Sequence, residues 1–352
     1  MSFLFSKVKQ QQFSKLPFVC YCKPNSDKII ALFQKNDDLI LLDDADVGIA
    51  FVSFDNEKRY IIPERLSDIY FETVSTSDYI FPKTLTSEID AEAKKAFETL
   101  VENGVEAIHK GDFKKVVLSR KESIQIENFD IELVFNKLIS NYATAFKYCF
   151  YHPKIGFWIG ATPEQFLKVD ENLVKTVSLA GTQLFDKKEA AIWQNKEIEE
   201  QQIVTDYIVK NLKLYSDNVT FSEPYSHQAG SLVHIKTDIQ AVVNEENNIS
   251  EIINVLHPTP AVCGFPKEKA KQFIIENEGY QREFYAGFLG EWNKDFATFK
   301  QKQSDLFVNL RCMKIEESIA NLYIGCGITK DSNPEKEFVE TVNKSVTIKS
   351  VL

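Results

Sequence analysis

The chain has 352 residues, 44% hydrophobic and 26% charged, as is typical of a globular protein. Its net charge of −10, with no offsetting cluster of lysine and arginine, argues against nucleic acid as a partner. No run approaches the roughly 18 apolar residues of a membrane span, and the amino-terminal segment lacks the apolar core of a signal peptide. We therefore expect a cytoplasmic protein, a monomer, that binds neither nucleic acid nor a membrane.

The first 85 residues alternate short apolar runs with polar turns, a pattern that predicts an antiparallel meander of strands. The apolar runs lie at residues 18–22, 29–33, 39–42, 49–54 and 60–62. No linker and no repeat separates this segment from the remainder. We predict that residues 1–85 form a β-rich part of the same domain as residues 86–352.

Residues 86–352 mix helices and strands without a regular βαβ rhythm. A helix with one apolar face is predicted from near Ser87 to Lys110, and other helices at residues 130–142, 188–213, 250–256 and 267–277 and from about 334. Strands are predicted at residues 115–120, 145–152, 155–160, 164–169, 306–315 and 319–325. This mixture predicts an α+β fold, a single large domain with antiparallel sheets flanked by helices.

The stretch from Leu256 to Pro266 is unusually stiff. Three of the chain's 11 prolines fall within nine residues of it, together with Gly264. Proline fixes φ and removes a backbone donor, and glycine permits close approach, so the pattern indicates a pre-shaped loop. By themselves these residues leave two interpretations open, a tight turn between packed elements and a wall of a ligand pocket.

Two pairs of glutamates lie three residues apart on predicted helices, Glu197 with Glu200 and Glu337 with Glu340. This spacing puts both carboxylates of a pair on one helix face. Mg²⁺ prefers oxygen ligands and takes one or two carboxylates together with water or substrate oxygens. The pairs are therefore candidate metal ligands, although such spacing by itself more often marks solvated surface charge.

Four other polar residues stand beside apolar strand-like runs. Lys115 begins one run, and a buried lysine can act as a base, whereas a lysine that flanks a strand is more often solvated. Glu164 follows a strand that contains tryptophan, where it is either a general acid or a turn residue. Arg311 is predicted to lie within a strand, where its guanidinium would need an anionic partner such as a carboxylate. His234 is either a core histidine or a substrate contact.

Taken in order, the motifs resemble those of the chorismate-utilising enzymes, a family that includes anthranilate, aminodeoxychorismate, isochorismate and salicylate synthases. The resemblance covers about two thirds of the chain, from Lys115 to Lys344. The matching segments are Lys-Val-Val-Leu-Ser-Arg120, Gly-Ala-Thr-Pro-Glu164, Ser-Leu-Ala-Gly-Thr182, Glu197–Glu200, His234, His-Pro-Thr-Pro-Ala-Val-Cys-Gly264, Arg311, Gly-Cys-Gly-Ile328 and Ser332 to Thr341. Seven or more short motifs in the right order are a specific signal, and the fold implied is that of anthranilate synthase component I.

The resemblance also implies roles for individual residues. It implies chorismate as the substrate and Mg²⁺ as the cofactor, held by Glu200 and Glu340 with indirect support from Glu197 and Glu337. The residues implied to contact the substrate are Gly181, Thr182, His234, Ala261, Val262, Arg311, Gly325 and Lys344. The family's usual His-Glu-His is Glu199-Glu200-Gln201 here, so the surroundings of the metal glutamate are altered.

The branch of the family follows from the chemistry that each branch requires. Adding water at C2 of the ring while expelling the C4 hydroxyl needs a base and an acid, and Lys115 and Glu164 match those positions in isochorismate-forming members. Anthranilate synthases lack that lysine, and aminodeoxychorismate synthases carry a lysine where this chain has Ala180. The resemblance thus implies an isochorismate-forming isomerase of a menaquinone or siderophore pathway. A salicylate synthase, which further eliminates pyruvate, and a binding homologue without turnover remain the alternatives.

Overall fold

Two antiparallel β-sheets form the centre of the protein, in a computed structural model that describes residues 2–74, 90–184, 191–229, 232–244 and 249–352. Within these ranges there are seven α-helices: α1 (Phe3–Phe13), α2 (Ala91–Lys110), α3 (Ile131–Asn141), α4 (Asn195–Leu212), α5 (Ile249–Leu256), α6 (Lys267–Asn277) and α7 (Pro334–Lys349). The predicted α+β class with antiparallel sheets and flanking helices is confirmed. Across the described residues, no helix is both long and apolar enough to cross a membrane.

The strands of the described residues are, in chain order, β1 (Phe18–Cys22), β2 (Lys28–Gln34), β3 (Ile40–Leu41), β4 (Gly48–Val52), β5 (Arg59–Pro63), β6 (Ser67–Thr73), β7 (Lys115–Gln125), β8 (Phe146–His152), β9 (Gly156–Thr162), β10 (Gln165–Asp170), β11 (Leu173–Leu184), β12 (Val219–Phe221), β13 (Tyr225–Ala229), β14 (Leu232–Val242), β15 (Gly264–Phe265), β16 (Phe288–Trp292), β17 (Gln303–Val308), β18 (Cys312–Glu316) and β19 (Ile319–Ile328). The first sheet has the order β15-β7-β19-β18-β9-β8-β1-β2-β6. The second has the order β12-β14-β11-β10-β17-β16-β4-β5-β3, with β13 also paired to β14.

The amino-terminal strands differ from the predicted meander in one respect. They are antiparallel, but β1, β2 and β6 join the first sheet whereas β3, β4 and β5 join the second. In each sheet they pair with strands from the carboxyl-terminal part, β1 with β8 and β4 with β16. Alternating apolar runs predict strands but do not say which strand pairs with which, so this division was invisible in the sequence. The predicted boundary at residue 85 lies outside the described residues.

Several helix ends also differ from their predicted positions. Ser87, predicted to begin a helix, lies outside the described residues, and α2 begins at Ala91 with Asp90 as its N-cap. The helix ends at Lys110 and is capped by Gly111, whose φ of 85° is a left-handed conformation that favours glycine. The predicted start of a helix at residue 188 also lies outside the described residues, and α4 begins at Asn195. The sequence pattern missed α1 and the strands β6 and β11 to β16.

Stacked aromatic rings fill the space between the two sheets. Phe51 on β4 lies 4.3 Å from Phe150 on β8 and 4.2 Å from Phe284, measured between ring centroids. A second core covers the other face of the first sheet, where Phe5 of α1 packs 5.8 Å from Phe135 of α3. Each fully buried ring contributes about 1.5–3 kcal/mol through apolar burial. The rings between the sheets hold the two sheets against each other. They therefore fix the positions of the residues at the ends of the strands.

Candidate active site

A polar cavity opens where the two sheets meet α4 and α7. Its empty space, counted with the open mouth, is about 730 Å³. Of the predicted site residues, those on its lining are Glu164, Gly181, Thr182, Glu200, His234, Ala261, Val262, Arg311, Gly325, Glu340 and Lys344. Three other predicted site residues, Lys115, Glu197 and Glu337, are not on that lining.

The proline-rich stretch forms one wall of the cavity. It leaves α5, passes the cavity at Ala261 and Val262, and ends in β15, which pairs with the start of β7. Gly264 has a φ of 146°, and a Cβ there would lie 2.3 Å from the carbonyl oxygen of Lys115. This close approach requires glycine and places the wall directly beside the strand that carries Lys115.

Glu200 projects from α4 toward the floor of the cavity. One of its carboxylate oxygens, Oε1, lies 3.1 Å from the ammonium of Lys115, whose side chain is fully buried. Burial alone would raise the pKa of Glu200, but Lys115 and Lys196 outweigh it and hold that pKa below its usual range. A Cβ on residue 327 would lie 2.0 Å from the same oxygen, so only glycine at that position leaves room for the carboxylate.

Gly325 and Gly327 bring the backbone of a strand to the cavity. Both residues lie within β19, paired with Ser119 and Val117 of β7. Because these two positions carry no side chain, the strand backbone lies close to cavity side chains. The backbone at this end of β19 therefore belongs to the cavity lining.

A second carboxylate and two cations also line the cavity. Glu340 lies on α7, one turn before Lys344, and its Oε1 is 2.6 Å from the Lys344 ammonium. Lys344 also donates a hydrogen bond to the carbonyl oxygen of Gly325 at 3.1 Å. Since Arg311 stands beside these groups, the cavity has a cationic corner next to its carboxylates.

Arg311 does not lie within a strand, contrary to the prediction. It stands between β17 and β18 with a φ of 49°, a left-handed conformation that is uncommon for arginine. This interruption between the two strands directs the Arg311 side chain into the cavity. The Nη1 atom of Arg311 donates a hydrogen bond to the carbonyl oxygen of Lys344 at 3.0 Å. Among the described residues Arg311 forms no ion pair with a carboxylate, so its guanidinium is available to an anionic ligand.

Glu164 is a buried carboxyl on the cavity wall, with only 6% of the residue exposed. Burial raises its pKa to about 7, although Lys115, Lys344 and Arg311 act in the opposite direction. Near neutral pH this group therefore exists in both protonation states. A carboxyl in that condition is suited to donate a proton inside the cavity.

His234 is held as a neutral side chain. Its Nδ1 lies 2.9 Å from the carbonyl oxygen of Gly181 and 3.3 Å from Oγ1 of Thr182. Burial, together with the nearby charge of Arg311, lowers the pKa of His234 to about 3. With a proton on Nδ1, the buried Nε2 is left as an acceptor, and it has no hydrogen-bond partner among the described residues.

The three predicted residues that do not line the cavity each have another partner. Lys115 lies behind Glu200, Glu197 accepts a hydrogen bond from the backbone nitrogen of Gln194 at 3.0 Å, and Glu337 forms an ion pair with Lys196. Within the described ranges, no group of three or more histidine, cysteine, aspartate or glutamate side chains is gathered for a metal ion. Glu200 and Glu340 on one cavity are nevertheless a donor set that fits Mg²⁺, which takes one or two carboxylates and fills its other positions with water or substrate.

The sequence pattern missed Tyr285, which also lines the cavity. It is only 3% exposed, and its ring stacks on that of Tyr323 with 5.6 Å between centroids. Its hydroxyl oxygen lies 2.8 Å from the position of a Cβ on Gly325. Nothing in the local sequence distinguishes Tyr285 from a core aromatic residue, because only the fold brings it to the cavity.

The fold and this cavity define an α+β protein of two antiparallel sheets with a site suited to a small anionic molecule. The chorismate binding enzyme family matches residues 56–352. The chain belongs to that family, and the resemblance seen in its motifs is confirmed.

Individual relatives agree with this assignment. The chain is 28% identical over 274 residues to the salicylate biosynthesis isochorismate synthase of Pseudomonas aeruginosa, covering 75% of this chain and 56% of that protein. It is also 28% identical over 279 residues to the isochorismate synthase MenF of Escherichia coli K12, covering 76% and 63%. The crystal structure of the isochorismate synthase DhbC from Bacillus anthracis has a TM-score of 0.79 with 23% identity and covers 98% of both chains. The chain thus spans only part of the length of these two curated relatives but the whole fold of the solved structure.

Proposed function

We propose that this protein is an isochorismate synthase, a Mg²⁺-dependent isomerase that converts chorismate to isochorismate. The observation that carries the proposal is the buried carboxyl of Glu164, whose pKa is about 7, on the same cavity as the cations Arg311 and Lys344. The names of the relatives support the same activity. A cavity with an acid that is partly protonated at neutral pH suits the loss of a hydroxyl from a dianionic substrate.

The proposed reaction exchanges one water for another. A water oxygen bonds to C2 of the ring, the ring double bonds shift, and the C4–oxygen bond breaks. Glu164 protonates the departing C4 oxygen, and Lys115 takes a proton from the attacking water. Chorismate and isochorismate have the same composition, so no oxidant or other co-reactant is needed.

The cavity also suits the shape and charge of the substrate. Arg311 lacks a carboxylate partner within the described part of the chain, and with Lys344 it would bind one carboxylate of chorismate through charge-assisted hydrogen bonds. Apolar side chains on the wall, Ala261 and Val262, would lie against the ring. In this arrangement the charged corner orients the substrate while the wall excludes other water.

Lys115 needs a change of partner before it can act as a base. Its ammonium is 3.1 Å from Glu200. Lys115 must leave that ion pair and release a proton before its neutral amine can accept one from the attacking water. Glu200 and Glu340 would hold Mg²⁺, which would supply positive charge for the substrate carboxylate. With Glu200 engaged there, Lys115 would be released from its ion pair. The Lys115–Glu200 ion pair therefore belongs to the protein before it binds Mg²⁺ and chorismate.

The activity test is incubation of the purified protein with chorismate and Mg²⁺, with the products separated by chromatography. We expect isochorismate, and we expect Lys115→Ala and Glu164→Ala each to lower kcat by about 100-fold or more, since each removes a proton-transfer group. Chorismate affinity should stay within about threefold, which is less than 1 kcal/mol, because the carboxylate contacts remain.

Lys114→Ala is the matched control for the lysine variant. Lys114 is the exposed neighbour of Lys115 and should be dispensable for turnover. Near-normal rates in the Lys115 or Glu164 variant would refute the assigned base and acid. Salicylate together with pyruvate would show a salicylate synthase, and chorismate binding without any turnover would show a binding homologue.

A further inference from the structure

A buried ion pair lies directly behind the cavity wall. Glu278 follows α6, Arg282 is four residues further on, and their side chains are 0% and 2% exposed. Arg282 Nε donates to Glu278 Oε2 at 2.8 Å, and its Nη2 contacts Oε1, so the pair is bidentate. Because burying two charges is costly, such a pair is a weak source of net stability, and its placement points to another role.

The guanidinium joins two backbone segments of the cavity wall. Arg282 Nη1 donates to the carbonyl oxygen of Val262 at 2.9 Å, and Nη2 donates to that of Val117 at 2.6 Å. Both Val262 and Val117 line the cavity, one on the proline-rich loop and the other on β7. Val117 lies two residues after Lys115, so the guanidinium sets the distance between the loop and the strand that carries the proposed base.

The carboxylate of Glu278 holds the same strand from a second point. Its Oε1 accepts hydrogen bonds from the backbone nitrogen of Ser119 at 2.7 Å and from the Ser119 hydroxyl at 2.9 Å. The guanidinium also lies over the ring of Phe54, 4.5 Å from its centroid, and this contact restrains its plane. The pair is therefore fixed on several sides and is rigid enough to define the positions of its neighbours.

We propose that Arg282, oriented by Glu278, is a positioning residue for the isomerisation. It acts through the carbonyl groups of Val117 and Val262 and keeps the apolar wall in register with Lys115. The inference rests on the proposed function, because the register matters to catalysis only if a water attacks the ring between that wall and Lys115. Arg282 itself is not among the residues that line the cavity.

Arg282→Lys tests the proposal while keeping the positive charge. A lysine ammonium is a single point of donation and lacks the planar fork that reaches Glu278 and both carbonyl oxygens. Displacement of reacting groups by about 1 Å lowers rates strongly, so we expect kcat to fall by about 10- to 100-fold. Chorismate affinity should change less than about threefold, since the cationic corner of the cavity is untouched.

Hydrogen exchange provides a readout that does not depend on turnover. The backbone nitrogen of Val117 donates to the carbonyl oxygen of Cys263 at 2.7 Å, so both segments are joined in the native protein. In Arg282→Lys, we expect faster amide exchange in residues 115–119 and 256–266, measured by mass spectrometry. The matched control is Lys314→Gln, which breaks the neighbouring ion pair with Glu283 at 3.0 Å but reaches neither carbonyl. It should leave both exchange and kcat unchanged.

The outcomes separate this proposal from the proposed function. An unchanged kcat for Arg282→Lys, or a loss of activity that only follows the folded fraction, would overturn the positioning role. If the wild-type protein does not convert chorismate, the proposed function fails, while the exchange and binding data still test whether the pair holds the two segments.

A milder variant keeps the test decisive if Arg282→Lys does not fold. Ser119→Ala removes the hydrogen bond from the side-chain hydroxyl to Glu278, together with its 2.7 Å contact with the Tyr280 hydroxyl, and leaves the ion pair in place. We expect a loss of about two- to tenfold in kcat, the range that one hydrogen bond represents, with unchanged affinity. A normal kcat in this variant would count against the proposal.

Discussion

At the scale of single residues, charge balance decides what the cavity can do. Glu164 is surrounded by three cationic groups and still has a pKa near 7, because burial disfavours its charged form more strongly than they favour it. Glu200 is buried as well, yet its pKa is lowered by Lys115 and Lys196. Two glutamates of one cavity thus differ in protonation state near neutral pH, which is how one site can hold an acid and a cation ligand together.

The pKa of Glu164 predicts a pH dependence. If Glu164 is the general acid, the active form is the protonated one, and its fraction decreases as the pH rises through about 7. We therefore expect kcat/KM for chorismate to fall on the alkaline side, approaching tenfold per pH unit. The measurement is a pH–rate profile in buffers of constant ionic strength.

Glu164→Gln is the control for that profile. The amide has the shape of the acid but does not titrate. The residual kcat/KM of this variant should therefore not fall as the pH rises through about 7. The same decrease in kcat/KM in the variant would mean that another group controls the reaction and would contradict the role of Glu164.

At the scale of elements, α7 carries much of the charged lining. Asn333 is its N-cap, and its side-chain oxygen accepts a hydrogen bond from the backbone nitrogen of Lys336 at 3.0 Å. The helix places Glu340 and Lys344 on one face, one turn apart, toward the cavity. The stability of its first turn therefore affects how firmly those two side chains are held.

Replacing this cap should affect stability and function together. We expect Asn333→Ala to lower the free energy of unfolding by about 1 kcal/mol, the usual value of an N-cap. It should also raise the KM for chorismate, since α7 becomes less ordered at its start. Chemical denaturation and steady-state kinetics measure the two effects.

Asp90→Ala is the comparable change on another helix. Asp90 caps α2 by accepting hydrogen bonds from the backbone nitrogens of Glu92 and Ala93 at 2.9 and 3.2 Å. It should lower stability by a similar amount and leave KM unchanged, because α2 packs against α7 through Phe97 but contributes no residue to the lining. Equal effects on KM would show that the loss of stability alone explains the result.

At the scale of the whole molecule, a buried polar contact fastens the two sheets together. The hydroxyl of Tyr21 on β1 donates to Glu291 Oε1 on β16 at 2.6 Å, and Lys23 forms an ion pair with the same carboxylate. Burial raises the pKa of Glu291 to about 7, with Lys23 acting in the opposite direction. The contact spans the space between the sheets, so its loss should weaken their docking.

Tyr21→Phe tests this contact. The substitution keeps the ring and removes one hydrogen bond to a buried carboxyl, so we expect the free energy of unfolding to fall by about 1–3 kcal/mol. The kinetics should be unchanged, because Tyr21 is not among the residues that line the cavity. Urea unfolding measures the loss, and Tyr151→Phe, a tyrosine of the same sheet that packs through its ring, should cost less. Equal losses would mean that the hydroxyl does not fasten the sheets.

The sequence by itself determined most of the helices and strands and, through the order of its motifs, the protein family. The strand Phe18–Cys22 and the helix Lys267–Asn277 begin and end where the apolar pattern predicted them. Both patterns are local, because the alternation of buried and exposed side chains follows from the geometry of a single strand or helix. The motif residues likewise predicted a family that the comparisons confirmed.

Only the tertiary structure decided how these parts meet. Three features depend on residues far apart in the chain. They are the interruption between β17 and β18 at Arg311, the ion pair between Lys115 and Glu200, and the division of the amino-terminal strands between two sheets. The pair Glu278–Arg282 carried no signal at all, since a Glu and an Arg four residues apart are ordinary on a protein surface. A local pattern predicts which face of a helix or strand is buried, but it does not predict which other elements that face packs against. The cavity is formed by contacts between such elements, so the local pattern could not predict it.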